Sequence, residues 1–372
     1  MTQRNADTIF GALFLLLTAA QLAVILFNPF DLSGDEAHYW EWSRRLDIAY
    51  YSKGPLVAWL IAASTHFLGA TELGVRLPAV ICFGLFSLIF YIYLRGRYGA
   101  DIALISWLAV RSALIFAQTG LLMTTDAPAV LFALLCLISG WHAVERKSVR
   151  SWCWFAVFAG LGIWAKYTLI MLVPAFLLFL LCAPVFRREV FALRCASMLC
   201  IVSFFLLPLI VWNMQNGWVN VAHNAGHVVH AEAFRFRPRF FFELLAGQAG
   251  LVGPLLFAGL CGALWAGYQR RRKSDLFVRY LLFMTLPLVF FVVAVSLTKR
   301  VYANWPMPVY VGALLLAAHL SAEDEVFRSR VRGWIAPAIL LNLLITLAAH
   351  AVLFNINFGL PGNILPTKKL AG

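Results

Sequence analysis

Long apolar runs alternate with short charged clusters along almost the whole chain. Their spacing predicts helices crossing a membrane near residues 9–28, 73–94, 101–120, 126–144, 152–166, 168–184, 196–212, 244–266, 279–297, 304–320 and 334–355. Most runs approach the roughly 20 apolar residues that one crossing needs. Two polar segments interrupt the pattern, 29–72 and 213–243. Within the first, the apolar stretch from Val57 to Leu68 is too short to cross and predicts a helix lying in the interface. Pro174, Pro208, Pro287 and Pro308 sit inside apolar runs, where neighbouring helices can satisfy the freed backbone groups. The expected architecture is an all-α polytopic membrane protein of about 11 transmembrane helices, with interfacial helices in the first outer loop. It is expected to form a single domain over 1–372, with no tandem repeat and no separate soluble domain after the last span.

Composition agrees with lipid as the main solvent. Hydrophobic residues make up 62% of the chain, charged residues only 13%, and mean hydropathy is +0.82. Soluble domains carry about 25% charged residues, so an ordinary soluble enzyme, a disordered chain and a coiled coil are all excluded. The seven cysteines lie in or beside apolar runs without a C-x-x-C pair and read as small hydrophobes. The first run is too long for a signal-peptide core and lacks a cleavage pattern after it, so it is expected to persist as a helix.

The net charge of +13 divides by side. With the N-terminus in the cytoplasm, most lysines and arginines fall in short inside loops, where they set topology. This accounts for the basic balance without a nucleic-acid partner. The remaining cations lie outside, among them Arg44, Lys53, Lys166, Lys299 and Arg300, and the orientation rule does not require them there. Membrane lipids or an anionic substrate would meet them.

The densest polar cluster, Asp31 to Arg45, follows the first span closely. Ser33 and Glu36 have capping-box spacing, so a short helix from Asp35 onward is predicted, with Asp35 and Tyr39 on one face. A carboxylate at this half-dry boundary can act as a general base, or it can simply favour the helix N-terminus. Lys53, ahead of Pro55 and the interfacial helix, is placed either to meet a phosphate with that helix's amides or to reach lipid headgroups. Asp126 opens the fourth span in Thr125-Asp126-Ala127-Pro128, as a functional carboxylate or as a helix cap. Lys166 and Lys299-Arg300 end two other spans on the same face and could ring one anionic group, or snorkel. Arg111 falls near the middle of a span, lining a wet cavity if the boundary is right. His223 and His227, with His230 nearby, have i, i+4 spacing that can hold a metal, though a loop of unliganded histidines fits as well. Arg235, Arg237 and Arg239 alternate as on one side of an extended strand.

Taken together, Asp35-Glu36-x-x-Tyr39-x-Glu41-x-x-Arg44, then Tyr51-x-Lys53-x-Pro55-Leu56, then Glu72-x-x-x-Arg76 resemble the GT-C superfamily of bacterial glycosyltransferases. The resemblance is to the branch with aminoarabinose lipid A transferases and relatives of protein O-mannosyltransferases. Thr125-Asp126-Ala127-Pro128, Lys166-Tyr167, Gly247-Gln248 and Lys299-x-x-x-x-Asn304-Trp305-Pro306 support it. It implies a polyprenyl-phosphate sugar donor and a lipid, glycan or protein acceptor. It also implies inverting transfer on the periplasmic face of a bacterial inner membrane. On that basis Asp35, Glu36 and Asp126 are the candidate catalytic carboxylates. Lys53 would bind the donor phosphate, with Arg44, Tyr39, Lys166, Lys299, Arg300 and Gln248 as further substrate contacts. A divalent metal ion held by Asp35 and Asp126 would assist the leaving phosphate. The chain departs from the family pattern at Ser52, Gly54 and His38. A transporter or flippase of an anionic lipid is the alternative reading, favoured by Arg111 and expected to show internal repeats.

Overall fold

A computed structural model describes residues 2–27, 31–227, 235–270 and 275–353. The described residues form α-helices and short 3-10 turns, with no strand among them. Helix α1 (Gln3–Phe27) is followed by two short helices, α2 (Gly34–Ser43) and α3 (Leu56–Leu68). The bundle proper then runs through α4 (Glu72–Tyr98), α5 (Ala100–Ser112), α6 (Leu114–Thr119), α7 (Asp126–Arg146), α8 (Val149–Ala165), α9 (Leu172–Cys182) and α10 (Leu193–Gln215). The second polar segment carries α11 (Val219–Gly226). The chain continues through α12 (Arg239–Val252), α13 (Pro254–Arg270), α14 (Leu276–Ser296), α15 (Met307–Glu323) and α16 (Glu325–Leu353).

The chain is a multi-pass membrane protein. Six of these helices, α1, α4, α7, α10, α14 and α16, are each long and apolar enough to cross a bilayer, and α12 with α13 raises the number to seven if taken as one span. The eleven apolar runs therefore fall on helices, but not all on single long ones. The run 101–120 breaks between α5 and α6, and the run 244–266 bends by 111° between α12 and α13. The second break has a local cause. Gly253 takes a left-handed φ of 88° and Pro254 follows it, so neither continues a helix through the junction. The run 168–184 opens as a 3-10 turn, Tyr167–Met171, ahead of α9.

Burial separates core helices from peripheral ones. In α7, 78% of the apolar window is buried, whereas α1 and α16 bury only 17% and turn most of their apolar surface outward, as lipid-facing helices do. The core is built on aromatic side chains, with Phe83, Phe86 and Phe90 of α4 stacked in series and Trp107 and Trp152 fully buried in the same core. Two ends of the bundle are defined by contacts. At one, Asp7 near the start of α1 pairs with Arg95 near the end of α4 at 2.6 Å. There too His319 of α15 bridges Tyr98 and the N-cap of α14, Asp275. At the other end lie α2, α3, α11 and the turns that begin α7 and α15.

Candidate active site at one end of the bundle

The predicted helix after the first span forms as α2. Ser33 caps it, accepting from the Glu36 amide, and the Glu36 carboxylate accepts from the Ser33 amide at 3.0 Å. That same carboxylate is wholly occupied by neighbours. Arg76 of α4 grips it with Nε at 2.9 Å and Nη2 at 3.1 Å, and the Met123 amide donates at 3.1 Å. Burial alone would raise the Glu36 pKa, but the Arg76 hydrogen bonds and charge outweigh it and hold the carboxyl below its ordinary range. Glu36 thus ties α2, α4 and the turn before α7 together and does not line the cavity beside it.

That cavity, of about 670 Å³, is within the range of small-ligand sites. Asp35, one residue before Glu36, faces into it and makes no hydrogen bond or ion pair among the described residues. Tyr39, one helical turn on, lines the same wall. Burial, and then the negative charges of Asp35 and Asp126, push the Tyr39 hydroxyl above its ordinary pKa, so it stays a neutral donor.

Lys53, from the segment before α3, lines the same cavity. A turn places it, with the Tyr50 amide donating to the Lys53 carbonyl at 3.0 Å. Asn220 and Asn224 of α11 fasten that turn, donating to the carbonyls of Tyr50 at 2.5 Å and Ser52 at 3.0 Å. Gly54 packs so tightly on the Trp164 carbonyl that a Cβ there would collide with backbone. Burial, and then the charge of Lys166, push the Lys53 ammonium below the ordinary lysine pKa, while Asp35 and Asp126 draw it back up.

Asp126 and Lys166 form a third group. Lys166 Nζ donates to Asp126 Oδ1 at 2.5 Å and to the Asn304 carbonyl at 2.7 Å. Asn304 Nδ2 donates to the other oxygen, Asp126 Oδ2, at 2.8 Å. This lock joins α7, the end of α8 and the turn before α15. Gln248 of α12 lies behind it, buried, donating to the Ala303 carbonyl at 2.9 Å and accepting from the Tyr310 hydroxyl at 2.6 Å. Both Asp126 oxygens are engaged in the lock. Among the described residues, no cluster of three or more metal-ligating side chains gathers.

Several predicted contacts lie away from the cavity. Arg44 is exposed, its guanidinium over the Trp40 ring at 5.3 Å. Arg300 is exposed and pairs with Glu243 at 3.0 Å. Lys299 donates to the Gly226 carbonyl at 2.5 Å. The ring of cations expected from Lys166 and Lys299-Arg300 does not form around one point. Arg235 to Arg239 do not make a strand. Arg239 begins α12 and pairs with Glu243 along it. Arg111 ends α5 at the helix break, with Gln21 Oε1 at 3.5 Å and the Phe83 ring 5.0 Å from its guanidinium, and it is not among the cavity residues. His223 and His227 do face the cavity, Nε2 to Nε2 at 3.2 Å, and His230 lies outside the described residues. The structural roles of Asn220, Asn224 and Asn304 were not legible beforehand, because each acts on a segment distant in sequence. The Asn304 motif was the only sequence signal for them.

The helical fold is shared with solved structures of ArnT from Cupriavidus metallidurans. Residues 52–212 match the family described as dolichyl-phosphate-mannose-protein mannosyltransferase. The chain is 28% identical over 315 residues to the lipid A galacturonosyltransferase RgtD of Rhizobium johnstonii, covering 83% of this chain and 65% of the relative. It is 26% identical over 354 residues to an undecaprenyl phosphate-alpha-4-amino-4-deoxy-L-arabinose arabinosyl transferase of Aeromonas hydrophila, covering 86% and 62%. The chain therefore spans less than two thirds of the length of these curated relatives. Among solved structures, it superposes on ArnT of Cupriavidus metallidurans bound to undecaprenyl phosphate with a TM-score of 0.68 at 20% identity, covering 98% of this chain and 67% of that one.

Proposed function

We propose that the protein is an inverting glycosyltransferase. It takes a sugar from a polyprenyl-phosphate donor and places it on a lipid hydroxyl, at the periplasmic face of a bacterial inner membrane. The observation that carries this reading is the convergence of Asp35 and Lys53 from two separate segments on one cavity. Support comes from the relatives, which are named as lipid A and undecaprenyl-phosphate sugar transferases. Those relatives differ in the sugar they name, so the sugar does not carry over from them.

The chemistry asked of these residues is a single displacement. The acceptor oxygen forms a bond to the anomeric carbon as the bond from that carbon to the phosphate oxygen breaks. The electron pair leaves on the polyprenyl phosphate, and attack opposite the leaving group inverts the centre. Asp35, free of other partners, takes the hydroxyl proton as the new bond forms. The Lys53 ammonium stabilises the charge gathering on the phosphate. A phosphate is a good leaving group, so no strong acid is needed. The Asp126–Lys166–Asn304 lock shapes the wall between them and keeps a second carboxylate from repelling the donor.

The transport alternative draws on the broken helices. Those breaks are closed by side chains of α16. Thr346 donates to the freed Ser112 carbonyl at 2.8 Å and Asn342 to the Val252 carbonyl at 2.8 Å, which satisfies one freed carbonyl at each break. Asp35→Asn separates the readings. In membranes given radiolabelled polyprenyl-phosphate sugars, it should lose at least a hundredfold in transfer rate, the usual scale for a general base. Transfer at the wild-type rate would refute the assignment.

A further inference from the structure

One face of the molecule takes no part in the proposed chemistry. Arg235, Phe236, Arg237 and Pro238 lead into α12, and Arg300 adjoins that helix through Glu243. Helix α13 fixes its place. The 17 residues from Pro254 to Arg270 are about 25 Å long, close to the thickness of a bilayer's apolar core. Arg270, at the far end, pairs with Asp324 just ahead of α16, so α13 runs the length of the bundle. The 111° bend at Gly253 then turns α12 across the end that holds the cavity. Two contacts hold it there. The Arg237 amide donates to the Leu297 carbonyl at 2.7 Å, and Gln248 donates to the Ala303 carbonyl at 2.9 Å. Leu244, Gln248 and Val252, spaced four apart, form its buried side. Phe236 and Phe242 are open, with 63% and 64% of their surface exposed. A helix lying across the end of a membrane bundle, with phenyl rings and arginines uncovered, has the layout of an interfacial helix.

Charge on this face is lopsided. Arg235, Arg237, Arg239 and Arg300 are all exposed. Among the described residues, Glu243 is the only carboxylate that meets them, and it is shared between Arg239 at 2.7 Å and Arg300 at 3.0 Å. Those two side chains still keep 79% and 77% of their surface open, so pairing does not use them up. The loops at the opposite end carry the cations that set topology, which leaves these four surplus to that rule. None of the four lines the cavity, so they are not placed to hold the reacting groups. Guanidinium groups bind phosphate in a fork of hydrogen bonds, and phenyl rings beside them suit acyl chains. We propose that this face is a binding site for anionic phospholipid headgroups. The phosphates meet Arg235, Arg237, Arg239 and Arg300, and the acyl chains lie against Phe236 and Phe242. The inference does not depend on the glycosyltransferase reading of the cavity.

Photocrosslinking reads this face locally. The full-length protein with Phe242→p-benzoylphenylalanine is reconstituted in bilayers of equal phosphatidylglycerol and phosphatidylcholine, illuminated, and its lipid adducts are identified by mass spectrometry. Several arginines at a surface predict roughly threefold or more capture of phosphatidylglycerol over phosphatidylcholine at low salt. The preference should fall towards one in 1 M salt, where charges are screened beyond about 3 Å. In Arg237→Gln/Arg239→Gln/Arg300→Gln the preference should vanish while total capture stays, which shows that α12 still meets lipid. The matching lysine substitutions should keep the preference, because the charge survives. Leu15→p-benzoylphenylalanine, at an exposed position within α1, supplies the reference and should capture both lipids equally. Equal capture at Phe242, a preference that survives the glutamine substitutions, the same preference at Leu15, or no lipid adduct at Phe242 would each overturn the inference. So would displacement of phosphatidylglycerol by a few mole per cent of a phosphate-bearing glycolipid, which would assign the face to an acceptor.

Discussion

Asp35 and Glu36 are adjacent carboxylates with opposite circumstances, and the difference can be measured. Glu36 is fully buried on Arg76, so Glu36→Gln leaves an arginine without its counter-charge and should cost about 3–5 kcal/mol of stability, the usual loss when one partner of a buried pair is removed. Thermal unfolding in detergent tests this, with Asp35→Asn, at an exposed position, expected to unfold like the wild type. Because the folded-state pKa of Glu36 is depressed, its contribution is present above the ordinary glutamate pKa of 4.5 and is lost as pH falls through the lower folded value. Lys53 makes the second residue-scale prediction. Its pKa lies below the ordinary 10.5, so the ammonium discharges earlier as pH rises. In the proposed enzyme, kcat/KM should fall on the alkaline side below pH 10.5. Lys53→Arg, whose guanidinium stays charged, should remove that limb while lowering the plateau. An unchanged alkaline limb would mean another group carries it. Neither environment could be read from the local sequence, where capping spacing marks Glu36 only as a helix-start residue.

At the scale of elements, the short segments between spans carry the site, and their placement depends on backbone contacts. Gly54 is the sharpest case. Its missing Cβ lets the Lys53 turn lie on the Trp164 carbonyl at the end of α8. Gly54→Ala forces the turn outward, and a displacement of about 1 Å at a positioned group can cost about a hundredfold in rate. The expected outcome is a large loss of transfer with weakened undecaprenyl phosphate binding and little change in helix content by circular dichroism. Wild-type binding would show that the turn accommodates the methyl group. The hydropathy pattern located the long helices well, because each must present an apolar surface to lipid or to its neighbours. It could not separate α5 from α6 or α12 from α13, since both halves of a broken helix remain apolar.

On the scale of the whole molecule, the lipid-facing α16 also closes the bundle. Its Thr346 and Asn342 donate to carbonyls at two separate helix breaks. Thr346→Val keeps the shape and removes the donor, so a loss of about 0.6 kcal/mol, the average for such bonds in membrane proteins, is expected in reversible unfolding in micelles. A loss above about 2 kcal/mol would indicate that the break itself depends on it. What the sequence alone determined was the solvent of the protein, the number of apolar runs, the two polar segments and the residues from which a site could be built, with Asp35 and Lys53 foremost. These follow from composition and short-range spacing, because lipid selects for apolar runs and helix caps act within one turn. The tertiary structure decided which of those residues meet. It paired Glu36 with Arg76 and Asp126 with Lys166, each 40 residues apart, and brought Asn304 to Asp126 across 178. It also left Arg44 and Arg300 outside the cavity. A carboxylate serves as base or as strut according to which cation packing brings within about 3 Å of it, and that distance is set by helix packing rather than by position along the chain.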